Sequence, residues 1–172
     1  MNHFPTPVSE TLACVPVAAL AEQTADRLWL IDDLWLDAGV GILFGPPKNH
    51  KSWLAFDMAV SVASGTPCLG HHRVKRPGPV LLFASEDPPP MVRQRIEGLA
   101  KLRGLQLADL PIHVITEPVL HLDRADERER LRRTVELLGP RLLILDPLVR
   151  IYGSVDENSA AEVSSFLAYL RS

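Results

Sequence analysis

Short apolar runs alternate with helix-length amphipathic stretches along most of this chain, and the alternation begins at Gly39. Val40-Gly41-Ile42-Leu43-Phe44 is an apolar run stopped by Gly45-Pro46-Pro47. Residues 51–64 read as a helix whose polar positions Asp57, Ser61 and Ser64 fall at i, i+4 and i+7, leaving so narrow a polar stripe that most of it must be buried. Gly65-Thr66-Pro67 ends it. A second run, Pro79-Val80-Leu81-Leu82-Phe83-Ala84, precedes a helix over 90–103 with Val92, Ile96 and Leu99 on one face. Ile112-His113-Val114-Ile115 makes a third strand. A charged helix over 123–138 follows, with Leu131, Val135 and Leu138 at i, i+4 and i+7. Leu142-Leu143-Ile144-Leu145 is a fourth strand. A last helix is expected from Ser159, where Ser159 and Glu162 have capping-box spacing and Val163, Phe166, Leu167 and Leu170 form its apolar face.

Strands that are continuously apolar, rather than alternating, belong to a parallel sheet covered on both faces. The reading is therefore an α/β fold with helices on both sides of the sheet. In such sheets ligands bind beyond the C-terminal strand ends. The residues that matter are then those just after each run: 45–52, 85–87, 116–117 and 146–147. Residues 1–28 have no clear period and carry Pro5, Pro7 and Pro16, with one short helix expected over 17–25. We divide the chain into an N-terminal extension and lead-in segment, 1–38, and an α/β core, 39–172.

Composition narrows this picture without redirecting it. With 172 residues the chain has the length of one domain, about 100–200 residues. It is 47% hydrophobic and 23% charged, which excludes a wholly disordered chain, a coiled coil and a collagen. Its 18 Lys+Arg against 21 Asp+Glu give a formal charge of −3, so a generally basic nucleic-acid coat is not supported. Cys14 and Cys68 share no metal-ligand spacing and read as two reduced thiols. Neither a signal peptide nor a membrane span is visible, and a soluble cytoplasmic protein is expected.

The chemistry sits after the first and fourth runs. Gly45-Pro46-Pro47-Lys48-Asn49-His50-Lys51-Ser52 follows the P-loop pattern G-x-x-x-x-G-K-[ST] except at its second glycine, where His50 stands. Such a loop holds phosphate with backbone N–H groups at a helix N-terminus. Pro46 and Pro47 have no N–H to offer, so the cradle must come from Lys48, Asn49, His50, Lys51, Ser52 and Trp53. Position 50 calls for a positive φ, which His adopts more readily than most residues. The bland alternative is a proline-rich turn before a buried helix. In the P-loop reading Lys51 neutralises the β- and γ-phosphates and the Ser52 hydroxyl ligates Mg²⁺. Asp146, closing the fourth run, has the form of the Walker B aspartate that holds the same ion. Any buried strand can also end in Asp at a turn. Glu86 and Asp87 close the second run on the same sheet edge, where Glu86 can polarise an attacking water. The competing reading makes Asp87-Pro88-Pro89-Pro90 a helix-start signal with Asp87 as its cap.

Together these stretches resemble the RecA-like P-loop ATPases, and within them the RepA-type plasmid replicative helicases. Ser52-Trp53-Leu54-Ala55 continues the loop match, and Ala63-Ser64-Gly65-Thr66-Pro67, Leu145-Asp146-Pro147-Leu148 and the acidic Asp156-Glu157-Asn158 add to it. The most specific stretch is Ser85-Glu86-Asp87-Pro88-Pro89, with Arg93 or Arg95 beyond. The resemblance spans about residues 30–172 and implies a RecA-like core using ATP and Mg²⁺, with Lys51 and Glu86 catalytic and Ser52 and Asp146 on the metal. It also implies a homo-oligomeric ring, hexameric where the core is complete, and single-stranded DNA as a partner, with no membrane. Members continue with a phosphate-sensing strand and an arginine finger, so the core is expected to be incomplete at its C-terminal end. A truncated or non-hydrolysing nucleotide-binding module, or a regulatory RecA-like ATPase that does not act on DNA, are the alternatives.

Other features read as structural. Adjacent side chains such as His71 and His72 point apart in regular structure, which argues against a metal pair. Arg73, Lys75 and Arg76 form a small basic loop cluster, read as solvated rather than as a DNA contact. The Arg/Glu run 124–133 suits a solvated helix face with i,i+4 pairs. Trp29 and Trp35 read as packing residues rather than bases' stacking partners.

Overall fold

In a computed structural model the described residues are 15–19, 28–151 and 168–170. Most of the helix expected from Ser159, its capping box included, the acidic stretch 156–158, Cys14 and most of the short N-terminal helix lie outside them; of the first, residues 168–170 are described and helical. Of the N-terminal helix a 3-10 turn, Val17–Ala19, is described.

The sheet is built on β3 (Val80–Ala84), whose first four residues are buried. β4 (Ile112–Ile115) and β5 (Leu142–Asp146) flank it, both parallel, in the order β4-β3-β5. Registers start at Val80↔Ile112 and Val80↔Leu142, and the last pair is Ala84↔Asp146. Side chains alternate across a strand, so this register sends Val80 and Leu82 to one face and Leu81 and Phe83 to the other. Helices α1 (Lys51–Ser64) and α2 (Pro89–Leu102) cover the first face: Met58, Ala59 and Val62 pack on Val80, and Phe56, Val60, Val92 and Ile96 on Leu82. Helix α3 (Ala125–Leu138) covers the second, where Leu131, with Val135 and Leu138, meets Leu81 and Phe83. Tyr169 and Leu170 pack there too, and the Tyr169 hydroxyl donates to the Arg128 carbonyl at 3.1 Å. The expected α/β sheet with helices on both faces is present. Among the described residues no helix is long and apolar enough to cross a membrane.

One expected strand does not form. Residues 40–44 take no regular secondary structure, and among the described residues no backbone hydrogen bond joins them to the sheet. Phe44 is 95% exposed. A cavity of about 480 Å³ separates residues 38–43 from the open edge of β5. An apolar run marks a chain able to be a strand, whereas the strand itself needs a partner edge at hydrogen-bonding distance. Gly41 sits so close to the Trp35 indole that an added Cβ would come within 2.8 Å of it, so this stretch is held by the ring rather than by a ladder.

The lead-in segment carries a hairpin that its sequence did not announce: β1 (Trp29–Ile31) pairs antiparallel with β2 (Trp35–Leu36). Leu30 and Ile31 are buried against Met58, Ala59 and Val62, and Trp35 packs on the same cluster. The basic loop is tied to this hairpin, with Lys75 3.5 Å from Asp32 and Arg76 paired with Asp37. His71 and His72 do not point apart in their tight turn. Their ring centroids lie 4.1 Å apart with the planes tilted by 41°, and each Nδ1 meets a backbone carbonyl, of Leu69 and Asp32 respectively, at 2.9 Å. The charged face of α3 carries the expected pairs, among them Arg132 with Glu129 and Glu136, and Arg133 with Glu129.

Asp57, nearly buried on α1, locks the loop after that helix. It accepts from the Leu69 amide at 2.8 Å and from the Arg103 guanidinium. Burial pushes its carboxyl up, but the Leu69 amide, Arg103 and the Cys68 thiol outweigh it and hold it below the ordinary value. Cys68 itself is fully buried, and burial with the neighbouring Asp57 carboxylate pushes its thiol up to about 12, so it stays protonated and unreactive at neutral pH. A carboxylate with a depressed folded value contributes stability above its unfolded value of about 3.9, and that stability is lost as pH falls through the folded value. Asp57→Asn should therefore cost about 2–3 kcal/mol at pH 7, somewhat less than breaking a wholly buried pair. Urea unfolding should show the gap between the two proteins closing below about pH 4. A pH-independent gap would mean that the carboxylate charge contributes nothing.

Candidate functional site

The C-terminal ends of β3 and β5 and the N-terminus of α1 converge. The Ser85 amide, one residue past β3, donates to the Asp146 carbonyl at 3.0 Å and joins the two strand ends. Across 94 residues of sequence, the Ser52 hydroxyl donates to Asp146 Oδ2 at 2.7 Å. Glu86 follows Ser85 on this edge and is exposed, and among the described residues no hydrogen bond or ion pair engages its carboxylate. The turn after β4 is engaged elsewhere: Glu117 pairs with Arg130 of α3 at 2.6 Å.

The loop 45–50 is shaped by its backbone. His50 has φ 57 and ψ 24, the left-handed conformation expected where the P-loop pattern has its second glycine. Lys48 also has a positive φ, 66, which no residue pattern signalled. His50 is the N-cap of α1, and its side chain makes no capping hydrogen bond there. The N–H groups of the first turn, at Lys51, Ser52 and Trp53, are thus left without a side-chain cap, at the end of the helix where the dipole favours anions. Lys51 folds back over the loop, its Nζ donating to the carbonyls of Gly45 at 2.8 Å and Pro46 at 2.9 Å. Lys48 and Asn49 are exposed.

The donor set is chemically coherent. A hydroxyl and a carboxylate in contact are hard oxygen ligands of the kind Mg²⁺ takes, usually one or two from the protein with the rest from phosphates and water. A lysine ammonium resting on two carbonyls can exchange them for anionic oxygens at no cost in charge. These residues fit a magnesium-bound polyphosphate.

Around this pair lies an arrangement that residue spacing alone did not assign. Asp87 does not cap α2. The N-cap is Pro88, with no side-chain cap, and the Asp87 carboxylate is paired instead with Arg95 on the helix. The Arg95 guanidinium carbon lies 5.5 Å from the centroid of the Trp53 ring. An arginine eight residues beyond the acid was the available signal, but whether Arg93 or Arg95 turns inward depends on how α2 sits on the sheet.

A family model described as an AAA domain matches residues 5–172. No curated protein matches the chain.

Proposed function

Because the chain belongs to the AAA-domain family of P-loop ATPases, we propose that it binds ATP with Mg²⁺ in the loop 45–52 and hydrolyses it at the joined ends of β3 and β5. The observation that carries this reading is the 2.7 Å contact between Ser52 and Asp146, two residues far apart in sequence whose types match the two halves of a phosphate-bound magnesium site.

In this proposal Ser52 and Asp146 would hold Mg²⁺, which when bound draws negative charge from the β- and γ-phosphate oxygens. The first-turn N–H groups of α1 bind the phosphates, with Gly45 and the left-handed Lys48 and His50 turning the loop around them. Lys51 moves its ammonium from the carbonyls of Gly45 and Pro46 to the phosphate oxygens. Glu86, solvent-facing and without a partner among the described residues, takes the proton from the attacking water on a carboxylate oxygen.

The likeness to plasmid replicative helicases, carried by Ser85-Glu86-Asp87-Pro88-Pro89, extends the proposal to a DNA-linked motor working as a homo-oligomeric ring on single-stranded DNA. The basic loop 73–76 lends it no support, since Lys75 and Arg76 are committed to Asp32 and Asp37. Phosphate release, followed with malachite green with and without single-stranded DNA, tests the reading. Release stimulated by DNA supports the motor. Release indifferent to DNA leaves a regulatory ATPase, and nucleotide binding without release leaves a non-hydrolysing module.

A further inference from the structure

The contact of Arg95 with both Asp87 and Trp53 is not needed to shape the phosphate loop, yet it joins the two halves of the site. Trp53 follows Ser52 on the first turn of α1. Asp87 follows Glu86 in the turn after β3. Arg95 lies in the second turn of α2 and reaches back to both. The side chains of Arg95 and Asp87 are only 25% and 23% exposed, so this ion pair is shielded more than a surface pair. Trp53 is 41% exposed, too open for a core residue, and a guanidinium lies against its ring. Arginine suits this place chemically. Its planar edge forks onto a carboxylate while its face stacks on an aromatic ring, and a lysine ammonium does not combine the two.

The turn 85–88 needs such a hold. Its N-terminal end is anchored by the Ser85 amide, but Pro88 and Pro89 offer no N–H, and Glu86 is engaged by nothing among the described residues. A base must sit within hydrogen-bond reach of its water, and a misplacement of about 1 Å can cost about 10²-fold in rate.

We propose that Arg95 is a positioning residue for hydrolysis: lying over the Trp53 ring and paired with Asp87, it fixes the turn that carries Glu86 against the first turn of α1. The inference rests on the ATPase reading above. It makes the placement of the base depend on the helix that grips the phosphates, through one guanidinium.

Single-turnover hydrolysis of radiolabelled ATP with protein in excess, alongside titration with a fluorescent ATP analogue, tests it. Arg95→Gln should slow hydrolysis about 10- to 100-fold while nucleotide affinity stays within about threefold. Arg95→Lys, which keeps the charge and loses the planar fork, should recover part of the rate. Trp53→Phe should retain more of it than Trp53→Ala. Asp87→Asn combined with Arg95→Gln should be no slower than the worse single variant, since both break one contact. Lysine and asparagine variants keep the test alive if the glutamine variant folds poorly. Wild-type rates in Arg95→Gln and Arg95→Lys would overturn the clamp and leave the ATPase reading intact. An affinity loss matching the rate loss would also overturn it, because Arg95 would then serve binding. A wild type that binds ATP and never releases phosphate overturns both readings.

Discussion

Glu86→Gln should bind ATP nearly as tightly as the wild type and release phosphate about 10²–10⁴ times more slowly, the range attributed to a positioned general base. The contrast with Asp146 makes this informative. In the proposed reading Asp146, which accepts a hydrogen bond from Ser52, would act in the ground state, whereas Glu86, whose carboxylate has no hydrogen bond or ion pair among the described residues, would act only when water attacks. Asp146→Asn keeps an acceptor for the Ser52 hydroxyl but loses the charge. It should weaken binding measured with Mg²⁺ and leave binding measured with chelator unchanged. Long single-turnover incubations are the right format, since an arginine finger from a neighbouring subunit can contribute 10³–10⁵ in rate. Hydrolysis by Glu86→Gln at the wild-type rate would remove Glu86 as the base, and the Glu-Asp-Pro-Pro stretch would be reduced to a helix start.

Lys51→Ala should bind Mg-ATP at least tenfold more weakly, about 1.4 kcal/mol, by titration calorimetry. In the proposed site the lysine supplies a point charge to the phosphates, and its ammonium already lies on the loop, donating to the Gly45 and Pro46 carbonyls. His50→Gly belongs in the same titration. It relieves a left-handed φ at a non-glycine residue, so affinity should hold or improve. Equal affinity for wild type and Lys51→Ala would sink the phosphate-loop reading. A clear loss in His50→Gly would show instead that the imidazole contacts phosphate.

Much of the secondary structure was legible because its causes are local. The helix over 51–64 announces itself by a narrow polar stripe and a glycine stop, and Gly65 duly ends it at φ 76. β3 and β5 are continuous apolar runs because both faces of the sheet are covered. The left-handed backbone of His50 was also legible, as a consequence of the place it occupies in the loop pattern.

What stayed hidden depends on partners distant in sequence. Residues 40–44 have the composition of a strand, but pairing requires an edge, and a cavity lies where the ladder would be. The hairpin 29–36 is too short to show a period and exists because Leu30 and Ile31 find α1. From sequence Asp87 reads as a helix cap. Only the seating of α2 on Leu82 brings Arg95 to it and over Trp53. Residue types and local spacing therefore specify which chemical groups this chain carries. Which of those groups meet, above all Ser52 with Asp146, follows from strand order and register, because contacts across many tens of residues are selected by the burial of both sheet faces rather than by any local preference.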